Sequence, residues 1–197
     1  MAKKPYKPIA KQNPSTSAAR RGPKVMTQQQ KKIAVRLVNN VARGDIPQPP
    51  DTPEKLKGIS IKTILRCTAP DNLVSGKEIV IERVQKTSTV KKLTAYKFLV
   101  FHNDPFRPQG VAARRMHEVT VIGNSAPNAK ICEQPTVFCS CDCDDWKFRW
   151  EYAVALRGGT RILYSNGEHP VMTNPQLSPG CCKHIVGCFN YIMQKKL

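Results

Sequence analysis

Two short cysteine-rich stretches near the C-terminus determine how this sequence is interpreted. Residues 138–146 read FCSCDCDDW, and residues 180–184 read GCCKH. A Cys-x-Cys pair in the first stretch and a Cys-x-His pair in the second can each bind along one edge of a tetrahedron, once folding brings the two stretches together. The pattern therefore predicts one Zn2+ ion held by four protein ligands.

The pattern does not decide which cysteines are the ligands in either of the two stretches. Cys139/Cys141 and Cys141/Cys143 are both Cys-x-Cys pairs, and either cysteine at 181 or 182 could precede the histidine. We favour the set Cys141, Cys143, Cys182 and His184. Three thiolates and one imidazole would fill a tetrahedral shell and leave no position for water, so we expect the zinc to be structural and not catalytic.

The residues that follow the first pair are one reason for this preference. Asp144 and Asp145 can cap a helix predicted over residues 146–156. Within that helix, Lys147 is expected to pair with Glu151. A ligand pair placed directly against the cap would form one rigid unit with the helix.

The other cysteines and the N-terminus bear on the redox environment. Five of the eight cysteines lie between residues 139 and 182. Lys3 and Lys4 resemble the start of a signal peptide, but Pro5 and Lys7 follow where an apolar segment is required, so we expect no export signal. Such clustering then favours metal binding, with core packing or disulfide exchange as the alternatives. We expect burial as small apolar side chains for Cys67, Cys132 and Cys188.

The positive charge is concentrated at the N-terminus. The chain has 32 Lys and Arg against 14 Asp and Glu, a formal net charge of +18, and residues 1–57 hold 13 of the basic residues and three of the acidic ones. We interpret residues 1–57 as a basic, Pro-rich arm that binds acidic or polyanionic partners. It contains one predicted helix over 28–43, started by a capping box at Thr27 and Gln30. The apolar stripe of this helix is expected to dock on its own domain, with a neighbouring subunit as the alternative.

Residues 58–134 form a predicted antiparallel β body. Apolar and polar residues alternate over 58–67, which predicts a strand. Further strands are predicted over 78–84, 93–102, 118–122 and 136–139.

Residues 135–197 form a predicted zinc module that ends in an amphipathic helix over 184–196. The apolar stripe of this helix comprises Ile185, Cys188, Phe189, Ile192 and Met193. The polar loop over 157–180 is expected to bury little. The sequence therefore predicts an α+β fold, consisting of a small antiparallel β-sheet, an extended N-terminal arm with one helix, and a C-terminal zinc-bound two-helix module.

The ligand pattern is similar to the Cys-x-Cys…Cys-x-His signature of SWIM-type zinc fingers. Over about residues 135–188 the sequence resembles a small set of tailed-phage virion structural proteins that carry such a finger. The shared motifs are CDCDDW at 141–146, FRWEYA at 148–153, YSNGE at 164–168, TNP at 173–175 and GCCKH at 180–184. The resemblance implies the ligand set that we favour. Cys139 and Cys181 are extra to the family pattern and His169 stands where a proline is expected, so replacement of a ligand by one of these three stays open.

The resemblance also implies a non-enzymatic structural component of a bacteriophage particle, in the head, neck, tail or baseplate. The partners would be other virion structural proteins, bound through the basic arm, and the protein would be located in the virion after assembly in the host cytoplasm. No membrane contact and no small-molecule substrate are expected. A zinc-finger nucleic-acid-binding protein is the alternative, because the charge and the finger both allow it.

Two further classes are disfavoured by what the sequence lacks. It has no Gly-rich phosphate-binding loop, and neither His102 nor His117 lies in a motif that would make it a general base, so we do not expect an enzyme. No apolar run approaches the roughly 20 residues of a membrane-spanning helix.

The basic residues of the β body are dispersed and lack interleaved stacking aromatics, which ranks assembly above nucleic-acid binding.

Overall fold

The computed structural model describes residues 58–88, 93–102, 115–123 and 129–197. The predicted basic arm over 1–57, with its helix over 28–43, lies outside the described residues. Within them, four strands form one antiparallel sheet in sequential order. The strands are β1 Ile79–Ser88, β2 Thr94–His102, β3 His117–Gly123 and β4 Val137–Cys141. The combination of a small antiparallel sheet with helices confirms the predicted α+β class.

Alternating burial is clearest in the two central strands, β2 and β3. In β2, Tyr96 and Phe98 are buried while Lys97 between them is exposed. Phe98 lies opposite Val119 and Tyr96 lies opposite Val121, so aromatic and β-branched side chains line one face of the sheet. All four strands lie where the alternation predicts, with ends displaced by at most four residues.

The predicted strand over 58–67 is wrong, because most of it forms helix α1, Ile61–Cys67. Ser60 caps this helix through its hydroxyl oxygen, which accepts the backbone N–H of Thr63 at 3.1 Å. Ile64, which the alternation placed on the polar face, is completely buried. A short apolar run fits a period of 2 and a period of 3.6 equally well, and here the helical period holds.

The other helical segments flank the sheet and the cysteine-rich stretches. They are α2 Pro70–Ser75, a 3-10 turn Gly76–Glu78, a 3-10 turn Ile131–Glu133, a π-helical turn Trp146–Trp150 that continues into α3 Glu151–Ala155, and α4 Lys183–Lys195. Both predicted C-terminal helices are present, the first with π-helical geometry in its opening turn. Over the described ranges, no helix has the length and apolarity needed to cross a bilayer.

Helix α4 packs across one face of the sheet and closes the core. The ring of Tyr191 meets the ring of Phe98 edge-on, with centroids 6.0 Å apart and planes at 78°. A Cβ at Gly187 would lie 2.5 Å from the Cβ of Ile79, so the helix approaches β1 as closely as it does only because this residue has no side chain. Completely buried members of the core around α4 are Val100, Val119, Val121, Ile185, Cys188, Phe189 and Ile192.

Met193 departs from the predicted stripe, because its side chain is 50% exposed. On the same side of α4, Val186 is buried against Gly76, whose missing Cβ would lie 2.4 Å from the Val186 Cγ1. The 3-10 turn therefore covers this side of the helix near its N-terminal end, while Met193 lies almost two turns further along.

The sheet crosses the predicted boundary between residues 134 and 135. β4 belongs to the predicted zinc module, yet it pairs with β3 of the predicted β body. On the other side of β4, Ile59 bridges to Val137. Side chains from both regions form one hydrophobic core. The two regions therefore share a sheet and a core among the described residues, and the boundary itself stays a prediction.

Candidate metal centre

The first ligand pair lies where β4 ends. Cys141 is the last residue of the strand, and Cys143 follows in the turn that leads into the π-helical turn. The Cys143 sulfur accepts the backbone N–H of Trp146 at 3.4 Å, and its carbonyl accepts the backbone N–H of Lys147 at 3.1 Å. The sulfur thus takes the position of a capping acceptor, which connects the ligand to the start of the helix. Asp145, one of the two predicted caps, makes no capping hydrogen bond.

The second ligand pair lies at the start of α4. Cys182 is the N-cap residue, with an extended backbone at φ −73° and ψ 162°, and its carbonyl accepts the backbone N–H of Val186 at 3.1 Å. His184 lies in the first turn of the helix. The N-terminal end of a helix favours negative charge, which offsets part of the cost of ionising the buried Cys182 thiol.

The fold brings all four predicted ligands together. One donor atom from each of Cys141, Cys143, Cys182 and His184 lies within 4.8 Å of every other, and all four residues are buried. The Cys141 Sγ and the His184 Nδ1 are 3.9 Å apart. Bond lengths of about 2.3 Å to sulfur and about 2.1 Å to nitrogen at tetrahedral angles place ligand atoms roughly 3.6–3.8 Å apart. The cluster therefore has the donors and the spacing to bind one metal ion.

The three cysteines of the cluster differ in the pKa of their thiols. Hydrogen bonds from the Cys141 and Cys182 thiols are the main cause of a strongly lowered pKa at Cys143, and His184 lowers it further. Burial raises the pKa of Cys141 and of Cys182 well above that of an ordinary thiol. Cys143 is therefore the thiol of the three that ionises most readily. A divalent cation would displace the remaining thiol protons and compensate the buried thiolates.

The open alternatives for the ligand set lie outside this cluster. Within the described part of the chain, the group that could share one ion excludes Cys139, Cys181 and His169. Burial raises the pKa of Cys181 to about 12 and raises that of Cys139 well above the ordinary thiol value. These thiols are therefore protonated and unreactive near neutral pH.

Of the cysteines expected to be buried, Cys188 is buried and the pair at 67 and 132 is half-buried.

Sequence reasoning missed the polar residues that hold the segment before α4. The hydroxyl of Thr68 donates to the Ile64 carbonyl at 2.7 Å and accepts the backbone N–H of Cys181 at 3.0 Å. The side-chain amide of Asn72 donates to the Cys181 carbonyl at 3.0 Å and to the Asp145 carboxylate at 2.8 Å. Thr68 and Asn72 are 113 and 109 residues from Cys181 in sequence, so no local pattern could have indicated them.

The predicted ion pair between Lys147 and Glu151 is wrong. Lys147 reaches Asp144 instead, at 3.6 Å. Glu151 is completely buried, and its carboxylate accepts the backbone N–H groups of residues 163–165 and the indole N–H of Trp146. A buried carboxylate needs such donors, and here backbone and indole N–H groups supply them.

Side-chain hydrogen bonds hold the loop over 157–180 in place, although its polar composition predicts little burial. Besides the bonds to Glu151, the Asn174 side chain donates to the Arg149 carbonyl at 3.0 Å and to the Ser178 carbonyl at 2.8 Å. Thr160 and Asn174 are both buried. Much of the loop is nonetheless exposed, including Leu163 and Met172, so hydrogen bonds hold it in place more than apolar burial does.

Comparisons of the chain with protein-family models, with curated proteins and with solved structures found no match.

Proposed function

We propose that this chain is a non-enzymatic structural protein whose C-terminal part is stabilised by one Zn2+ ion, bound by Cys141, Cys143, Cys182 and His184. The observation that carries the proposal is the burial of these four donors within 4.8 Å of one another. Thiolates and imidazole suit zinc, whereas Mg2+ and Ca2+ prefer oxygen ligands. One zinc ion would neutralise most of the thiolate charge that the cluster buries.

The number of donors supports a structural role for the ion. A catalytic zinc keeps one position for water or substrate, whereas four protein donors complete the tetrahedral shell. Cys141 and Cys182 are also completely buried, which limits the access of solvent to the ion. Zinc bound in this way contributes free energy to folding and performs no chemistry on a substrate.

Metal analysis of the full chain, purified under reducing conditions, tests this proposal. We expect one zinc ion per chain, and after exchange for Co2+ we expect the intense visible absorption of a tetrahedral ion with thiolate charge-transfer bands. His184→Ala should weaken binding and alter the cobalt spectrum. Cys132→Ser, at a half-buried cysteine outside the cluster, is the matched control and should bind as the wild type does. A wild-type stoichiometry near zero would contradict the proposal.

We further propose that the protein is a component of a tailed-phage particle and that its basic arm binds acidic surfaces of neighbouring virion proteins. The support is the sequence resemblance over about residues 135–188 and the 13 basic residues against three acidic ones over residues 1–57. Gradient-purified particles should contain the chain at a constant ratio to their major structural proteins. Cross-linking should join arm lysines such as Lys3 and Lys11 to other virion proteins. Complete removal of the chain by washing intact particles would argue against this role.

Nucleic-acid binding is the second candidate, and the formal net charge of +18 favours it. Binding through Lys and Arg to phosphates releases counterions, so the affinity should fall steeply between about 50 and 200 mM salt. A mobility-shift assay with the full chain and duplex DNA at both salt concentrations distinguishes the candidates. No retardation at the lower concentration would eliminate this function, while the particle proposal would stand.

A further inference from the structure

One side chain outside the ligand set lies directly against the ligand histidine. The imidazole of His117 packs against that of His184 in a tilted arrangement, with ring centroids 4.3 Å apart and planes at 37°. The Nδ1 of His117 lies 2.8 Å from the Oδ1 of Asp142, the residue between Cys141 and Cys143. His117 therefore contacts both halves of the ligand set, through its ring on one side and through the Asp142 carboxylate on the other.

We propose that His117, held by Asp142, is a positioning residue of the metal centre. It keeps the His184 ring in the orientation that directs Nδ1 toward the three sulfurs, and so slows the loss of the metal. This inference rests on the proposed zinc site. It adds a residue that no ligand motif contains, contributed by a strand that precedes the first cysteine pair.

The sheet holds His117 in place. His117 pairs with Val100 of β2, and two residues further along β3, Val119 pairs with Cys141 of β4. Side chains two apart on a strand point to the same face, so the His117 ring and the Cys141 sulfur lie on one face of the sheet. His117 is only 8% exposed, which leaves its ring little freedom to move away.

The His184 ring needs such a support because its outermost torsion is broad. The imidazole of a histidine turns easily about its Cβ–Cγ bond, and a turn of the His184 ring would carry Nδ1 away from the sulfurs. A carboxylate accepts hydrogen bonds, so Asp142 orders the His117 ring with Nδ1 as the donor. The ordered His117 ring then restricts the ligand ring through their close, tilted contact. Residues that orient a metal ligand typically contribute about 10–100-fold to metal affinity.

The test measures the rate at which the zinc-loaded full chain transfers its ion to an excess of a chromophoric chelator. His117→Leu removes the aromatic ring and should release zinc about 10–100 times faster than the wild type. His117→Phe restores a ring of similar shape and should recover most of the slow release. Asp142→Ala keeps the ring but removes the carboxylate that holds it, and should give an intermediate rate. His102→Leu is the matched control, because His102 also pairs with a carboxylate, Glu78 at 3.0 Å, but lies outside the cluster.

The outcomes separate this inference from the proposed function. A wild type without stoichiometric zinc would overturn both. A wild type that binds zinc, together with wild-type release rates in His117→Leu and Asp142→Ala, would overturn the inference alone. The same holds if His117→Phe releases zinc as fast as His117→Leu, because a ring at this position would then not matter. If His117→Leu does not fold, the rate for Asp142→Ala decides, and an unchanged rate overturns the inference.

Discussion

At the scale of single residues, Glu151 is the most densely bonded side chain of the C-terminal region. Its carboxylate accepts the backbone N–H groups of Leu163, Tyr164 and Ser165 at distances between 2.6 and 3.2 Å, and the indole N–H of Trp146 at 3.3 Å. Consecutive backbone N–H groups that converge in this way form a concave anion site. Here the anion is part of the chain, so the loop is fastened to α3 by a charge that only an acidic residue can supply.

Replacement of Glu151 by Gln should therefore destabilise the protein. The amide keeps one acceptor oxygen but directs an NH2 group at backbone donors, which we expect to cost about 2–4 kcal/mol in the free energy of unfolding. Urea denaturation of the zinc-loaded protein measures this loss. The control is Glu133→Gln, since Glu133 is exposed and only weakly paired with Lys130 at 3.8 Å, and its effect should stay within about 0.5 kcal/mol. Equal stability of the two variants would refute the assigned role of Glu151.

His169 gives the stability a dependence on pH. Both of its ring nitrogens are shielded from solvent without a hydrogen-bond partner, and its ring meets Tyr152 edge-on with centroids 5.9 Å apart. Burial lowers the pKa of His169, and a contact with its own backbone opposes this only in part. Below the unfolded pKa of about 6.5, the unfolded chain therefore takes up a proton that the folded state resists.

We accordingly expect the stability to fall as the pH decreases through 6.5 toward the lower folded pKa, and His169→Phe to reduce this fall. The measurement is the difference in unfolding free energy between pH 7.5 and pH 5.5 for each protein. Both proteins keep the same metal ligands, so the comparison cancels the acid lability of the metal centre. An identical pH dependence in wild type and variant would show that His169 does not titrate as argued.

At the scale of elements, sequence periodicity predicts long segments well and short ones poorly. β2 and α4 extend over nine and 13 residues, enough for one period to exclude the other. α1 has only seven residues, and its alternating apolar side chains also satisfy a helical stripe. The contact that anchors its C-terminal end is the hydrogen bond from the Cys181 N–H to Thr68, which sequence alone does not reveal.

The candidate ligands could be predicted from the sequence, whereas residues that support them from distant elements could not. Cys141, Cys143, Cys182 and His184 could be named as candidate ligands because few donor types bind zinc and their spacings are local, although the same spacings left Cys139 and Cys181 open. His117 and Thr68 could not be named, because each reaches the site from an element that is distant in sequence. Contacts of this kind follow from the tertiary structure and cannot be read from the spacing of the ligands.

Thr68 should therefore be essential for joining α1 to the segment before α4. Thr68→Val keeps the volume but removes the hydroxyl, which leaves the buried Cys181 N–H and the Ile64 carbonyl without this partner. We expect a loss of about 1–3 kcal/mol in the free energy of unfolding, measured by denaturant titration of the zinc-loaded chain. Thr68→Ser retains the hydroxyl and should be clearly more stable than Thr68→Val. A Thr68→Val variant as stable as the wild type would contradict the role assigned to these hydrogen bonds.

At the scale of the whole molecule, the proposed zinc ion lies at a junction of the fold. One ligand pair ends β4 and the other begins α4, and α4 packs against every strand of the sheet. The predicted division at residues 134 and 135 would let the zinc module unfold by itself. The shared sheet and core instead predict that loss of the ion weakens the entire described region.

Removal of the metal distinguishes these two behaviours. With thiols kept reduced and zinc chelated, we expect hydrogen exchange to increase throughout the sheet, β1 and β2 included, and thermal unfolding to remain one transition at a lower midpoint. Structural zinc contributes about 10–16 kcal/mol of apparent binding free energy in isolated finger peptides, so losing even part of such a contribution would leave a domain of ordinary stability only marginally folded. Cys132→Ser, treated with and without chelator, controls for effects of thiol chemistry outside the cluster and should respond as the wild type does. Increased exchange confined to residues 138–147 and 180–186, with unchanged protection in β1 and β2, would instead establish the module as an independent unit whose zinc serves only itself.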